Sequence, residues 1–255
     1  MSKILVPVSG GKDSTVSLLL AINEQGKENV TAVFNDTGWD HPVTYEYLDY
    51  LRDTLGIEIH STVGPPRKDG TPASDLISLI RAQGRFPFGL GRFCTTHLKQ
   101  VALRKWYEAN LFDGKTEYEF WFGMRQQESG QRARKYAGIT ADDVFDMSDL
   151  FPGKYTIPMR KLISVRLPVV EWSEDAIFTY LERKGIERNP LYYEGTNDRV
   201  GCYPCMLAGK KVQAAIFSTE VGKERLEIIR GLEKELGQKY EMHDTDQGSC
   251  EVCKI

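Results

Sequence analysis

Two groups of residues in this 255-residue chain have the types and spacing to do chemistry. The first is Ser9-Gly10-Gly11-Lys12-Asp13-Ser14. Adjacent glycines let the main chain come close to an anion and turn its N–H groups toward it. Ser9 and Ser14 add hydroxyl donors, and Lys12 adds a positive charge. An apolar run from Lys3 to Val8 precedes the loop, and an amphipathic stretch from Asp13 to Glu24 follows it. The loop therefore joins a strand to a helix whose first N–H groups carry positive potential. This is a cradle for phosphate or pyrophosphate; the plainer alternative is a Gly-Gly turn beside a solvated lysine. The spacing fits neither G-x-x-x-x-G-K-[ST] nor G-x-G-x-x-G.

The second group is the cysteines Cys94, Cys202, Cys205, Cys250 and Cys253. Four of them form two C-x-x-C pairs, which in a reducing compartment read first as metal ligands or redox thiols. Cys202, Cys205, Cys250 and Cys253 together would close a four-thiolate zinc site. Cys94 would then stand as a lone thiol, with Lys99 about one helical turn further on. The four histidines show no ligand spacing, and no Ser/His/Asp triad is suggested.

These residues need a scaffold, and the hydrophobic pattern supplies one. Apolar runs at Lys3 to Val8, Val30 to Phe34, Ile57 to Val63 and Glu119 to Gly123 read as strands. Helical spacing covers Asp13 to Glu24, Pro42 to Leu55, Ser74 to Gln83, Thr95 to Asn110 and Trp172 to Lys184, the last capped by Ser173. Alternation of strand and helix predicts a parallel sheet. A long insert separates the third and fourth strands; in it Gly64 to Gly70, rich in Gly, Pro and charge, reads as turn, and Arg85 to Phe93, rich in glycine and aromatics, reads as loop. Beyond residue 155 the texture becomes helical, with Lys211 to Leu236 mostly helix and a polar tail from Gly237. The predicted division is an α/β nucleotide-binding domain over 1–155 and a helical, cysteine-containing region over 156–255.

Composition bounds the answer. With 41% hydrophobic and 27% charged residues the chain is ordinary for a globular protein. A net charge of −3 and a pI near 5.9 argue against a chain built mainly to coat nucleic acid, though not against a local basic patch. No apolar run reaches the ~20 residues a membrane span needs. The N-terminus reads as a strand rather than a signal peptide, so the expected compartment is the cytoplasm.

The phosphate loop resembles the PP-loop of the N-type ATP pyrophosphatases and adenine-nucleotide alpha-hydrolases. Further pieces narrow this. They are Phe34-Asn35-Asp36-Thr37-Gly38, Arg92-Phe93-Cys94-Thr95-Thr96-His97-Leu98-Lys99, and Gly123-Met124-Arg125-Gln126-Gln127-Glu128-Ser129 with Arg132. Glu171-Trp172-Ser173, Asn189-Pro190-Leu191-Tyr192 and Gly201-Cys202-Tyr203-Pro204-Cys205 complete the set. In this order, over about residues 1 to 215, they resemble the phosphoadenosine phosphosulfate reductase family, which includes relatives acting in DNA sulfur modification. The resemblance implies a doubly wound sheet with the nucleotide at the carboxyl ends of its strands. It also implies ATP or another adenine nucleotide on Ser9, Gly10, Gly11, Lys12, Asp13 and Ser14. Asp36, at a strand end, suits either accepting hydrogen bonds from adenine or ribose or closing an Asx turn. Arg125 and Arg132 would grip phosphate or sulfate, and Asp13 and Glu128 would hold Mg²⁺. Lys12, Asp13, Cys94, Lys99 and Arg125 are the candidate catalytic residues.

In iron–sulfur members of that family a pair of adjacent cysteines completes a [4Fe–4S] cluster with a C-x-x-C. Here Phe93 replaces one of the pair. Cys94, Cys202 and Cys205 remain, with Cys250, Cys253 or a non-protein ligand as the fourth. Three readings stay open: ATP-dependent α-phosphate activation coupled to sulfur transfer, reduction of a sulfonucleotide to sulfite, and a non-enzymatic nucleotide-binding module with structural zinc. The first calls for a sulfur-donor protein and leaves room for a nucleic-acid substrate. The second calls for a thioredoxin-like reductant. A Glu-Cys-Gly tail, by which the reductases resemble one another, is replaced here by Gly248-Ser249-Cys250-Glu251-Val252-Cys253.

Overall fold

A computed structural model describes residues 2–88, 91–150, 154–193 and 199–240. Its centre is a six-stranded sheet in the order β3-β2-β1-β4-β6-β5. The strands are β1 (Lys3–Val8), β2 (Val30–Asn35), β3 (Ile59–Thr62), β4 (Tyr118–Trp121), β5 (Val144–Asp146) and β6 (Ile163–Arg166). All neighbours are parallel except β5, which runs antiparallel to β6 at the edge. The chain moves outward from β1 through β2 to β3, then returns to the other side of β1 as β4. The carboxyl ends of β1 and β4 thus form the switch point where open α/β sheets bind ligands.

The helices are α1 (Lys12–Gln25), α2 (Pro42–Leu55), α3 (Leu76–Gln83), α4 (Ala102–Asn110), α5 (Gly130–Lys135), α6 (Met147–Leu150), α7 (Ile157–Arg160), α8 (Glu174–Arg183), α9 (Lys210–Ser218) and α10 (Glu220–Leu236). A π-helical stretch, Thr95–Val101, leads directly into α4. Side chains alternate across β1. Ile4, Val6 and Val8 pack with α1, α2 and α8 on one face. Leu5 joins Phe120, Phe122, Val165 and α4 residues Leu103 and Tyr107 on the other. Burial on both faces explains why β1 reads as a continuous apolar run. A third cluster, with Trp39, Leu76, Leu79, Ile80, Leu98, Met206, Ile229 and Leu232, packs the long insert and α10 together.

The four strands read from the sequence are present, with ends shifted by one or two residues. Two more, β5 and β6, complete the sheet. They are short, and β6 alternates buried with half-buried residues, so neither has the run that marks β1 and β2. The sheet consequently draws strands from both sides of residue 155. The helix read over Thr95 to Asn110 begins as π-helix, and the helix read from Lys211 divides at Thr219 into α9 and α10. No helix among the described residues is long and apolar enough to cross a membrane. Cys250 and Cys253 lie outside the described residues.

Candidate functional site: a phosphate loop beside a thiol cavity

The loop from Ser9 to Ser14 joins β1 to α1 at the switch point. Gly10 has φ +70°, a conformation that disfavours any residue with a Cβ. Inside the loop, the Ser9 N–H donates to Ser14 Oγ at 3.1 Å, and Ser14 Oγ donates to the Gly11 carbonyl at 3.0 Å. Asn189 Nδ2 donates to the Gly10 carbonyl at 3.1 Å, fastening a distant turn to the loop. Behind the loop, the chain leaving β4 passes so closely that a Cβ on Gly123 would sit 2.6 Å from the main chain of Asp13 and Ser14.

Three ion pairs surround this loop. Arg125, which follows β4, pairs its Nε with Asp13 Oδ1 at 2.5 Å, with both side chains buried. Arg132 is fully buried and pairs with Glu128 one helical turn before it. Lys12 Nζ lies 2.8 Å from Glu174 Oε1 at the start of α8. Each arginine expected to grip an oxyanion thus holds a carboxylate of the chain itself. Asp13 and Glu128, expected to hold Mg²⁺, are both engaged by guanidinium groups. Each of these pairs uses one carboxylate oxygen, and no step is assigned to a metal there.

Asp36, expected to face adenine, is occupied by its own turn. Its Oδ1 accepts from the Gly38 N–H and from the Tyr45 hydroxyl, each at 2.8 Å. The neighbouring Asn35 is 4% exposed, and both its amide oxygen and nitrogen lack a hydrogen-bond partner among the described residues. The register of β1 and β2 places Asn35 beside Ser9, one step past the Val8–Phe34 pair. An unpaired buried carboxamide costs about 1–3 kcal/mol, so its presence at the ligand edge of the sheet carries information. The sequence signal was a polar amide closing an apolar strand.

Next to this edge lies a small cavity lined by Thr37, Leu76, Cys94, Thr95, Leu98, Lys99, Cys202, Cys205, Met206 and Leu207. The structure brings three of the five cysteines to one place, with Lys99 among them. Two backbone features hold this arrangement. The π-helical turn carries Lys99 from Cys94, and a bridge between Asp40 and Cys202 ties the end of the β2 loop to the C-x-x-C loop. Trp39 fixes the same junction: its Nε1 donates to the Pro204 carbonyl at 3.0 Å, and its carbonyl accepts from the Tyr203 N–H at 2.7 Å. Thr37 Oγ1 donates to Asp40 at 2.6 Å and lies 3.5 Å from Cys202 Sγ. Tyr240 hydrogen-bonds to the Met206 carbonyl at 2.9 Å, so the last described residue lies beside the cavity wall.

Electrostatics inside the cavity favour neutral thiols. Burial pushes the Cys202 thiol up to about 12, with Lys99 opposing the shift. Burial, then the neighbouring Cys205, also raises Cys94. Burial alone would lower Lys99, but Cys202, Asp40, Cys205 and Cys94 outweigh it and hold the ammonium above its usual range. Burial raises Asp40, again against Lys99. Among the described residues no group of three His, Cys, Asp or Glu side chains is arranged to hold a single metal ion. Cys94, Cys202 and Cys205 line one cavity, and thiolates are the donors a [4Fe–4S] centre takes.

Comparison with known proteins identifies the family. The phosphoadenosine phosphosulfate reductase domain model matches residues 3–208. The chain belongs to the phosphoadenosine phosphosulfate reductase family. Within this PP-loop family, a 37.8 kDa uncharacterized protein of Escherichia phage 186 is 31% identical over 251 residues, covering 84% of this chain and 70% of that protein. Phosphoadenosine 5'-phosphosulfate reductase of Sodalis glossinidius is 25% identical over 188 residues, covering 73% of this chain and 64% of that enzyme. An uncharacterized Methanocaldococcus jannaschii protein is 29% identical over 207 residues, and the chain spans 36% of its length. The crystal structure of the Candida auris reductase in a phosphate complex shares the fold, with a TM-score of 0.53 at 13% identity over 80% of this chain and 83% of that one.

Proposed function

We propose that this family member is an enzyme that binds ATP, or a related adenine nucleotide, on its phosphate loop and couples attack at the α-phosphate to sulfur transfer. The observation that carries the reading is the pairing of two sites on one sheet edge. A phosphate loop and a three-cysteine cavity are joined there by the Asn35-Asp36-Thr37 turn. Such a loop stabilises pyrophosphate as leaving group by positioning and charge. An acceptor oxygen attacks the α-phosphorus, pyrophosphate leaves, and a sulfur nucleophile then displaces AMP. Cys94, Cys202 and Cys205 would hold a cluster, which when bound supplies an iron able to carry that sulfur; zinc on the C-x-x-C pairs is the alternative. Lys99 keeps a positive charge beside the thiols.

Adenine is supported by Asn35, because a carboxamide's donor and acceptor match the N6 and N7 edge of that base. The family supports a second reading, reduction of a sulfonucleotide to sulfite with a thioredoxin-like partner. One experiment separates them. With ATP and candidate acceptors, nucleic acid included, the first reading expects AMP and pyrophosphate. With phosphoadenosine phosphosulfate and reduced thioredoxin, the second expects sulfite. Sulfite release without ATP cleavage would overturn the first reading. Lys12→Ala should abolish nucleotide binding in either case.

A further inference from the structure

Lys12 is 3% exposed and brings two donors to the phosphate loop, its main-chain N–H and its ammonium. Both are held by residues from the second half of the chain. The N–H donates to the Tyr192 hydroxyl at 2.9 Å. The ammonium lies 2.8 Å from Glu174 Oε1 and above two aromatic rings, 4.8 Å from the centroid of Tyr192 and 5.7 Å from that of Phe178. A buried ammonium needs a counter-charge, and an N–H out of water needs an acceptor. Tyr192 and Glu174 supply between them what one phosphate group would supply alone: an acceptor oxygen and a negative charge.

We propose that Tyr192 and Glu174 hold Lys12 in place of phosphate, so that nucleotide binding is an exchange. A phosphoanhydride oxygen takes the Lys12 N–H from the tyrosine hydroxyl, and the ammonium passes from the carboxylate to the phosphate. The proposal rests on the nucleotide reading of the loop. Glu174 suits a release step: its side chain is 51% exposed, so its carboxylate regains water when it lets go. The turn that presents Tyr192 is anchored apart from Lys12. Asn189 donates to the Gly10 carbonyl at 3.1 Å, and its Oδ1 accepts from the Leu191 N–H at 3.0 Å. The Val200 carbonyl lies 3.5 Å from where a Cβ on Gly11 would stand, two residues before Cys202 of the cavity. Tyr192 and Glu174 act through Lys12 and are positioning residues.

The test uses the full chain with inorganic pyrophosphate and with ATP, read by calorimetry and thermal shift. Removing a competitor tightens binding, whereas structural damage weakens it, so the sign is diagnostic. Glu174→Gln should melt lower than wild type when free. It should gain more from pyrophosphate than wild type does, with Kd about three- to tenfold lower. Tyr192→Phe is neutral and separates exchange from a general field effect; its Kd should fall about two- to fivefold. If Glu174→Gln does not fold, Tyr192→Phe decides alone. A folded variant of either kind that binds pyrophosphate no more tightly than wild type overturns the exchange. Wild type that binds neither pyrophosphate nor ATP overturns the nucleotide reading along with it.

Discussion

The phosphate loop and the thiol cavity occupy one edge of one sheet, yet they are built in opposite ways. At the loop, fixed charges meet fixed charges: Asp13 with Arg125, Glu128 with Arg132, Lys12 with Glu174. Its charges are in position before any ligand arrives, and binding has only to exchange the partners of Lys12. At the cavity, three thiols surround one buried lysine, and burial keeps Cys202 and Cys94 protonated. Its ionisation is left for a metal or a substrate to complete, because metal binding displaces thiol protons. One site stores its organisation in the fold; the other defers it.

The sharpest way to break that contrast is to remove one charge from the loop. Arg125→Leu leaves the Asp13 carboxylate buried without its guanidinium, at a cost of about 3–5 kcal/mol. The matching change in the cavity, Cys94→Ala in metal-free protein, removes a neutral, half-buried group and should cost about 1 kcal/mol. Urea unfolding of the two variants measures both. Equal losses would mean that the ion pair is no more than ordinary packing and that the contrast is mistaken.

The two regions were also unequally legible in the sequence. The loop was readable because its pieces are contiguous: a buried strand, two glycines, a lysine and a helix. Long-range partners were not readable. Glu174 lies in the first turn of α8, Tyr192 was one residue of a motif, and only the fold brings them to Lys12. Asp36 drew notice as the charged residue at a strand end, while the neighbouring amide, Asn35, is the one left without a partner. The convergence of Cys94 with Cys202 and Cys205 was readable by resemblance alone, since 107 residues separate Cys94 from Cys202 in sequence. Strands β5 and β6 were missed for a local reason: β5 buries none of its three residues, and β6 alternates apolar with polar where β4 carries a run of aromatics.

Asn35 offers a second, smaller test on the loop side. Leu has nearly its shape and no polar atoms, so Asn35→Leu removes two unpaired buried groups. Stability should hold or rise by up to about 1–2 kcal/mol. If the amide reads adenine, wild type should bind ATP about tenfold more tightly than inosine triphosphate, whose base presents oxygen where adenine presents an amino group. The variant should lose that preference while still binding pyrophosphate. A gain in stability with the preference intact would show that the amide faces no base.

The smallest effect is expected in the cavity, and it tests why Lys99 is there. In an α-helix a residue five positions on lies about 140° around the axis, facing away. The π-helical turn over Thr95–Val101 pairs i with i+5 instead, and this brings Lys99 back over Cys94 and into the cavity. The lysine opposes the upward shift that burial imposes on Cys202 and Cys94. Lys99→Met keeps the length and removes the charge, so both thiols should move further up. The thiolate fraction at a given pH then falls, and the whole pH profile of alkylation by iodoacetamide moves to higher pH. A rise of about one pKa unit would slow alkylation near pH 8 by about tenfold, while Lys99→Arg should retain most of the wild-type rate. An unshifted profile in Lys99→Met would place the lysine's charge elsewhere and leave the π-helical turn without this role.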